Sequence, residues 1–220
     1  MKIAGKKTIL DWKELEKNLC LNNNENWDKA FDFFYQRINT RYLYPIEKII
    51  SIGENIGEGF AIVNLQCSLI ETLESFINGC NSSYNEKTRK TEWKRVEQII
   101  FRSNKEIFTS FFNKRNPFAN YDSQINGDDF YRNVRCPLLH ETQTKNNWVI
   151  RCNSSQKNRV TYTINNDNKI LYRENFQKDL IEMILEYKDA IINQNSFNEF
   201  NNEVLRQNFI IKFNSICKNS

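Results

Sequence analysis

The chain has 220 residues, of which 40% are hydrophobic and 13% aromatic, a composition that supports a packed core and excludes wholesale disorder. Only 6 Gly and 3 Pro occur, too few for a turn-rich β-sandwich, so long helices are expected. The net charge of +4 permits nucleic-acid binding without requiring it.

Cysteine usage and apolar runs bear on the compartment. No apolar run approaches the ~20 residues needed to span a bilayer, and residues 1–10 lack the apolar segment of a secretion signal. The six cysteines form no C-x-x-C pair, and only one His is present to complete a zinc site. We therefore expect a cytoplasmic protein with reduced thiols, no metal, no cofactor and no membrane partner.

In chain order, the first predicted helix begins at Asp11, where a capping-box spacing occurs. Apolar residues recurring every three or four positions predict a second helix over 26–43, which Pro45 interrupts. A strong apolar stripe predicts a third helix over 60–77. A fourth is predicted over 86–113, and its basic first half is either a solvated face or a surface that contacts phosphates.

The hydrophobic period changes from 3.6 to 2 between residues 148 and 173, which predicts three short strands. We interpret them as a small antiparallel β meander inserted into a mainly α protein, peripheral to the core and with mobile loops. Trp148 and Tyr162 in this region either stack RNA bases or pack in the core. Two further helices close the chain, and residues 1–220 are predicted to form a single domain.

Most enzyme signatures are absent, including the phosphate-binding loop, H-E-x-x-H and G-x-S-x-G. His140 is therefore the one obvious group for acid–base chemistry near neutral pH, although a lone His can also be structural. Cys136 lies four residues before it, as a thiol–imidazole pair would require. Pro137 between them and the lack of a third orienting motif argue against a thiol protease.

Arg135 precedes His140 by five positions, giving the pattern R-x-x-x-x-H. With its apolar flanks over 130–141, late in a helical array, this motif resembles that of the HEPN superfamily. These helical proteins include many metal-independent ribonucleases of toxin–antitoxin, phage-defence and CRISPR systems. The resemblance covers at most residues 60–150, and Cys136 departs from it because the family often has a polar residue after the arginine.

The resemblance implies a mainly α, HEPN-like helical bundle that cuts RNA in bacterial stress or antiviral defence. It also implies a homodimer whose two motifs form one composite site, and it allows for an antitoxin or defence-system partner. In this hypothesis Arg135 holds the phosphate and His140 transfers a proton, without metal. The alternatives are a non-catalytic RNA- or nucleotide-binding or dimerisation module, and a helical scaffold with a structural histidine.

On one continuous α-helix, residues five apart diverge by about 140°. A break near Cys136, with Pro137 opening a new helix, would let Arg135 and His140 converge. Two further sets of residues are candidates. The resemblance implies a polar or acidic catalytic residue from an earlier helix, for which Glu74, at the border of the apolar face of the third helix, is the candidate; the alternative is a surface carboxylate at the core margin. Glu71 is projected onto the opposite face. Arg132 and Asn133 either contact RNA or form an exposed helix face.

Overall fold

The computed structural model describes residues 1–54, 56–121, 124–153 and 160–218. Contacts within the chain divide it into two compact units. The first contains Met1–Tyr44, Thr72–Asn104 and Leu185–Ser220, and the second contains Pro45–Glu71 and Lys105–Ile184. The prediction of a single domain, which concerns independent folding, stays a prediction.

The first unit opens with a short hairpin and a capped helix. The Thr8 hydroxyl accepts the Asp11 N–H at 3.4 Å, and the Asp11 carboxylate accepts the Thr8 N–H at 2.7 Å. This capping box makes Thr8 the N-cap and starts the first helix at Ile9, so the cap lies three residues before the predicted Asp11. The elements are β1 (Lys2–Ala4), β2 (Lys7–Thr8), α1 (Ile9–Glu16) and α2 (Trp27–Ile38).

The helix predicted over 26–43 is not interrupted at Pro45. Its last residues form a π-helical turn, and helical structure continues beyond them. This turn spans Asn39–Leu43 and leads directly into α3 (Tyr44–Ile52). In an α-helix the ring of Pro45 would clash with the carbonyl group of Arg41, four residues earlier. The wider turn avoids that clash, and the Tyr44 N–H donates to the carbonyl of Asn39.

Helix α4 (Glu58–Ile77) confirms the third predicted helix, but the fourth is wrong over most of its length. An antiparallel sheet occupies residues 81–101, and a helix follows only at Asn104. The Asn85 side chain accepts the N–H groups of Lys87 and Thr88, at 3.0 and 3.2 Å, and so closes a turn that the helical spacing did not reveal. The elements are β3 (Asn81–Asn85), β4 (Lys90–Arg95), β5 (Gln98–Phe101) and α5 (Asn104–Lys114).

Aromatic rings dominate the core of the first unit. The ring of Trp12 stacks on Phe213 with centroids 4.4 Å apart, and the ring of Phe34 meets the edge of Phe76 at 4.8 Å. The last helix, α9 (Asn202–Lys218), supplies the buried Phe209 and Phe213 to this cluster. Such pairs add to the burial of large apolar surfaces and fix the packing of the helices.

The second unit combines short helical segments with a three-stranded sheet. The sheet order is β6-β8-β7, in which β6 runs parallel and β7 antiparallel to β8. The predicted antiparallel meander is therefore wrong in its pairing, because β6 joins β8 through a crossover instead of a hairpin. The elements are α6 (Gly127–Phe130), a π-helical turn (Tyr131–Arg135), α7 (Cys136–Glu141), β6 (Trp148–Arg151), β7 (Tyr162–Asn165) and β8 (Asn168–Tyr172), followed by α8 (Arg173–Asn193), whose residues from Leu185 onward belong to the first unit.

The sheet of the second unit is part of its core and not a peripheral addition. Trp148 stacks on Tyr162 at 5.3 Å and meets the edge of Phe130 at 5.4 Å. Both strand aromatics are buried, so they pack in the core as one of the two interpretations expected. The predicted mobility of the loop over 153–158 falls almost wholly on residues 154–159, which lie outside the described residues.

The fold class predicted from the sequence is therefore wrong. The described residues form three small sheets as well as helices, so the chain is a mixed α and β protein and not a mainly α helical bundle. By length and composition α4 could cross a membrane, but 61% of its most apolar window is buried inside the protein, as in a core helix.

Candidate functional site

The R-x-x-x-x-H motif lies on a helix that contains a second π-helical turn. The Cys136 N–H donates to the carbonyl of Tyr131, five residues earlier. As at Pro45, a proline stands second in the α-helix that follows, and Pro137 would clash with the carbonyl of Asn133 in a regular α-helix. The Asn133 carbonyl instead accepts the Lys145 N–H at 2.8 Å.

The predicted break at Cys136 does not occur. The dihedral angles of Arg135 are helical (φ −60°, ψ −50°), and α7 continues the π-helical turn directly. Pro137 is the second residue of α7 and widens the preceding turn instead of ending the helix. The sequence rules for proline correctly located the irregular turn next to Pro137, but they predicted a helix break where the structure has a π-helical turn.

Arg135 forms an ion pair with Glu71 of α4. Its Nε donates to the Glu71 Oε1 atom at 3.0 Å, and each side chain is 18% exposed. The guanidinium carbon also lies 5.7 Å from the centroid of the Tyr131 ring. Burial raises the pKa of the Glu71 carboxyl, while the neighbouring Arg135 partly offsets that rise. In the part of the chain that the structure describes, the two terminal nitrogens of Arg135 have no hydrogen-bond partner.

The acid that contacts Arg135 is Glu71 and not the predicted Glu74. Residues four apart lie about 40° apart on a helix, so Glu71 lies above Cys67, which is buried next to Arg135. The projection of Glu71 onto the opposite face was therefore wrong. The spacing of four residues between Cys67 and Glu71 indicates the correct face of the helix. Glu74 is fully buried in the first unit, where it accepts the Asn78 side-chain amide at 3.0 Å.

His140 lies on the exposed side of α7. It and the neighbouring Leu139, which is 50% exposed, face solvent. Among the described residues, no hydrogen bond or ion pair holds His140, so its imidazole is available to a ligand or to a second protein chain. Arg135 and His140 are not brought together within one chain, because one is directed at Glu71 and the other at solvent.

Cys136 is half-buried and interacts with the side chain of Tyr131. Burial raises the pKa of Tyr131 to about 12, and the hydrogen bond with Cys136 adds to that rise. The thiol is therefore engaged with a phenol rather than with the imidazole that a thiol protease requires.

The two predicted RNA-binding residues have intramolecular partners. Arg132 is exposed and donates from Nε to Asp128 at 3.0 Å, and Lys105 lies 3.2 Å from the same carboxylate. Asn133 is half-buried and donates to Asp129 at 2.8 Å. Their role in RNA binding stays a prediction, for which Arg132 is the more accessible of the two.

Asp129 connects the motif helix to the neighbouring sheet. Its Oδ2 atom accepts the Trp148 indole N–H and the Lys169 ammonium, each at 2.8 Å. Burial opposes the ionisation of Asp129, but these hydrogen bonds outweigh it and hold the pKa of this carboxyl below its usual value. The contacts fix the orientation of the helix that presents Arg135 and His140.

Among the described residues, no three His, Cys, Asp or Glu side chains converge as a metal site. The six cysteines are all free thiols. The candidate site therefore contains Arg135, whose two terminal nitrogens have no hydrogen-bond partner among the described residues, the neighbouring carboxylate of Glu71 and the exposed imidazole of His140. Comparison with protein-family models, with curated proteins and with solved structures finds no match to this chain.

Proposed function

We propose that this protein is an endoribonuclease that needs no metal, with Arg135 binding the phosphate and His140 transferring a proton. The observation that carries the proposal is that, among the described residues, only the Nε atom of the Arg135 guanidinium has a hydrogen-bond partner. Glu71 occupies Nε alone, so both terminal nitrogens are available to form the bidentate contact that a phosphate prefers. The R-x-x-x-x-H spacing, which resembles that of HEPN ribonucleases, supports the same assignment.

The reaction uses the nucleophile that RNA itself carries. The 2′-OH attacks the adjacent phosphorus, its proton passes to His140, and the bond from phosphorus to the 5′-oxygen breaks. Water supplies the proton to the departing 5′-oxygen, and His140 returns the proton that it accepted to solvent, so the products are a 2′,3′-cyclic phosphate and a 5′-OH. Arg135 stabilises the charge on the pentacoordinate phosphorus, and the acid–base step contributes about 10²–10⁴-fold.

The proposed active site is shared between two copies of the chain. Within one chain Arg135 is directed at Glu71, whereas His140 faces solvent, so neither copy alone directs both groups at one phosphate. In a two-fold dimer, His140 of one copy would face Arg135 of the other, and each site would be complete. The exposed Leu139 beside His140 gives this surface an apolar contact.

A non-catalytic module that binds RNA or a nucleotide, or that serves dimerisation, is the second candidate. The observation that favours it is the ion pair itself, because Glu71 offsets part of the positive charge that a reacting phosphate would need. The assignment to bacterial stress or antiviral defence in the cytoplasm, with an antitoxin or defence-system partner, rests on the resemblance alone. Cleavage separates the two candidates.

The test is cleavage of a 5′-labelled single-stranded RNA in EDTA by the full chain. We expect fragments with cyclic phosphate ends, and a loss of about 10²-fold or more in His140→Ala and Arg135→Ala. Lys178→Ala is the matched control, because it removes an exposed cation outside the motif and should keep most of the activity. Cleavage that requires Mg²⁺, or that survives in His140→Ala, would contradict the proposal.

A further inference from the structure

A basic groove lies in the first unit, away in sequence from the R-x-x-x-x-H motif. We call it the hairpin groove, and it has a volume of about 720 Å³. It lies between the β1–β2 hairpin and the end of α2 with the π-helical turn that follows. Residues 2–7, Gln36, Thr40 and Arg41 line it.

The charges that line the hairpin groove are all positive. Lys2, Lys6, Lys7 and Arg41 line it, and none of the other described residues in its lining carries a carboxylate. Lys7 has a counter-ion in Asp32 and lies 4.3 Å from the Phe33 ring. In the described part of the chain, no carboxylate pairs with the other three cations, and all three are exposed. An anionic ligand would therefore meet three cations that are not neutralised.

The groove has a fixed geometry and is not a chance grouping of flexible side chains. The carbonyl of Ile3 accepts from Arg37 at 2.7 Å and from Arg41 at 3.2 Å, which fastens β1 to the helix. The π-helical turn before Pro45 places Arg41 at this point. Arg41 uses a single N–H group in that bond, so the rest of its guanidinium is free to contact a ligand.

The shape and the chemistry of the groove indicate the class of ligand. A concave site of this volume admits a flexible chain or a small ligand, whereas a planar bilayer does not enter a concavity. None of the described residues that line the groove is aromatic, so these residues offer no surface for stacking bases and would contact phosphates regardless of sequence.

We propose that the hairpin groove binds the phosphodiester backbone of single-stranded RNA through Lys2, Lys6 and Arg41. The choice of RNA among phosphate-bearing chains rests on the proposed function. The groove then supplies affinity that does not depend on sequence, while the motif in the second unit carries the chemistry.

The test measures binding of a fluorescent 12-nucleotide RNA to the full chain carrying His140→Ala, in EDTA, so that cleavage cannot consume the probe. Added to that background, Lys2→Ala/Lys6→Ala/Arg41→Ala should weaken binding by about 100-fold at 0.1 M salt, and reduce the slope of log affinity against log salt by about 2. Lys13→Ala/Lys17→Ala/Lys29→Ala is the matched control. It removes the same charge from exposed positions outside the groove and should change affinity only a few-fold.

Lys2→Glu/Lys6→Glu is a second variant that leaves the Arg41 hydrogen bond to Ile3 intact and guards against misfolding of the triple variant. It should weaken binding at least as strongly, with unchanged circular dichroism. Equal losses in the groove and control variants would overturn the inference. It would also be overturned if tripolyphosphate displaced RNA at equal phosphate concentration, or if the groove variants lost binding to phosphatidylserine vesicles but not to RNA.

Binding and cleavage fail separately in this design. Groove-dependent RNA binding without cleavage by the wild-type chain would contradict the proposed function and leave the inference in place. Cleavage that is lost in His140→Ala, together with RNA binding that is unaffected by the groove substitutions, would overturn the inference alone.

Discussion

Arg135 and Glu71 form a half-buried ion pair in which the carboxylate accepts from Nε at 3.0 Å and leaves the guanidinium fork open. In the proposed function Glu71 is a positioning residue, because it bonds Nε alone and leaves to a phosphate the two terminal nitrogens. The pair ties the motif helix to α4 within the second unit. Removing either partner alone should lower the free energy of unfolding, because the other charge is then left half-buried without its counter-ion.

We predict that Glu71→Ala and Glu71→Gln have different effects on cleavage. The alanine variant releases the guanidinium and should lower kcat by about 10-fold or more through misplacement of the phosphate contact. The glutamine variant keeps an oxygen acceptor for Nε and removes a negative charge near the substrate, so KM should fall while kcat changes little. Steady-state kinetics separates these effects, and an unchanged kcat in Glu71→Ala would show that the pair does not position Arg135.

We predict that Asp129→Asn weakens the second unit in a pH-dependent way. The pKa of Asp129 is lowered in the folded state, so its contribution is present above the unfolded value of 3.8 and is lost as the pH falls towards the lower folded value. At pH 7 the variant should lose about 1–3 kcal/mol of unfolding free energy, since hydrogen bonds to a charged group are replaced. Urea unfolding should show this difference shrinking below pH 3.8, and a difference that is constant with pH would contradict the assignment.

Gly127 should tolerate no side chain, because α6 begins against the backbone of α5. A Cβ atom at position 127 would lie 2.5 Å from the Phe108 carbonyl oxygen. We expect Gly127→Ala to cost about 3 kcal/mol of unfolding free energy, at the upper end of overpacking effects. Gly53→Ala is the comparison, because Gly53 has a φ of +72° and, apart from its two chain neighbours, none of the described residues has an atom within 4 Å of the added carbon. Only its left-handed backbone is penalised, at about 1 kcal/mol, and equal losses would contradict the steric argument.

Lys212 gives the first unit a pH dependence of the same sign, but in the alkaline range. Burial lowers the pKa of Lys212 to about 8, and its ammonium donates to the Cys80 carbonyl at 3.0 Å and to Asn81 at 2.9 Å. Because the folded pKa lies below the unfolded value of 10.5, stability should rise as the pH increases from 8 towards 10.5. Relative to Lys212→Met, wild type should gain unfolding free energy over that range. A difference that does not change between pH 7 and 10 would contradict this.

The sequence predicted the long helices well because their apolar stripes are continuous. It failed over 86–101, where Trp93, Val96 and Ile100 have helical spacing but belong to paired strands and their turn. Val96 adopts a left-handed backbone conformation with φ 55°, which side-chain preferences disfavour for a β-branched residue, so no local rule placed a turn there. The Asx turn at Asn85 was readable from the sequence and would have separated β3 from β4.

The candidate site was predictable in part. The motif residues Arg135 and His140 follow from spacing alone, and Pro137 correctly marked an irregular helix. The identity of the acid next to Arg135 required knowledge of which face of α4 meets the motif helix, and that depends on packing between distant segments. The parallel pairing of β6 with β8 was likewise invisible to a pattern that records only alternation.

The most direct test of the composite active site is a mixture of two inactive variants, Arg135→Ala and His140→Ala. Each homodimer lacks one essential group in both sites, whereas a mixed dimer has one complete site, with Arg135 from one chain and His140 from the other. Equal mixing after subunit exchange should restore about a quarter of wild-type RNA cleavage in EDTA, because half of the dimers are mixed and each has one of two sites. A mixture that stays as inactive as its components, beside an active wild type, would contradict the shared site.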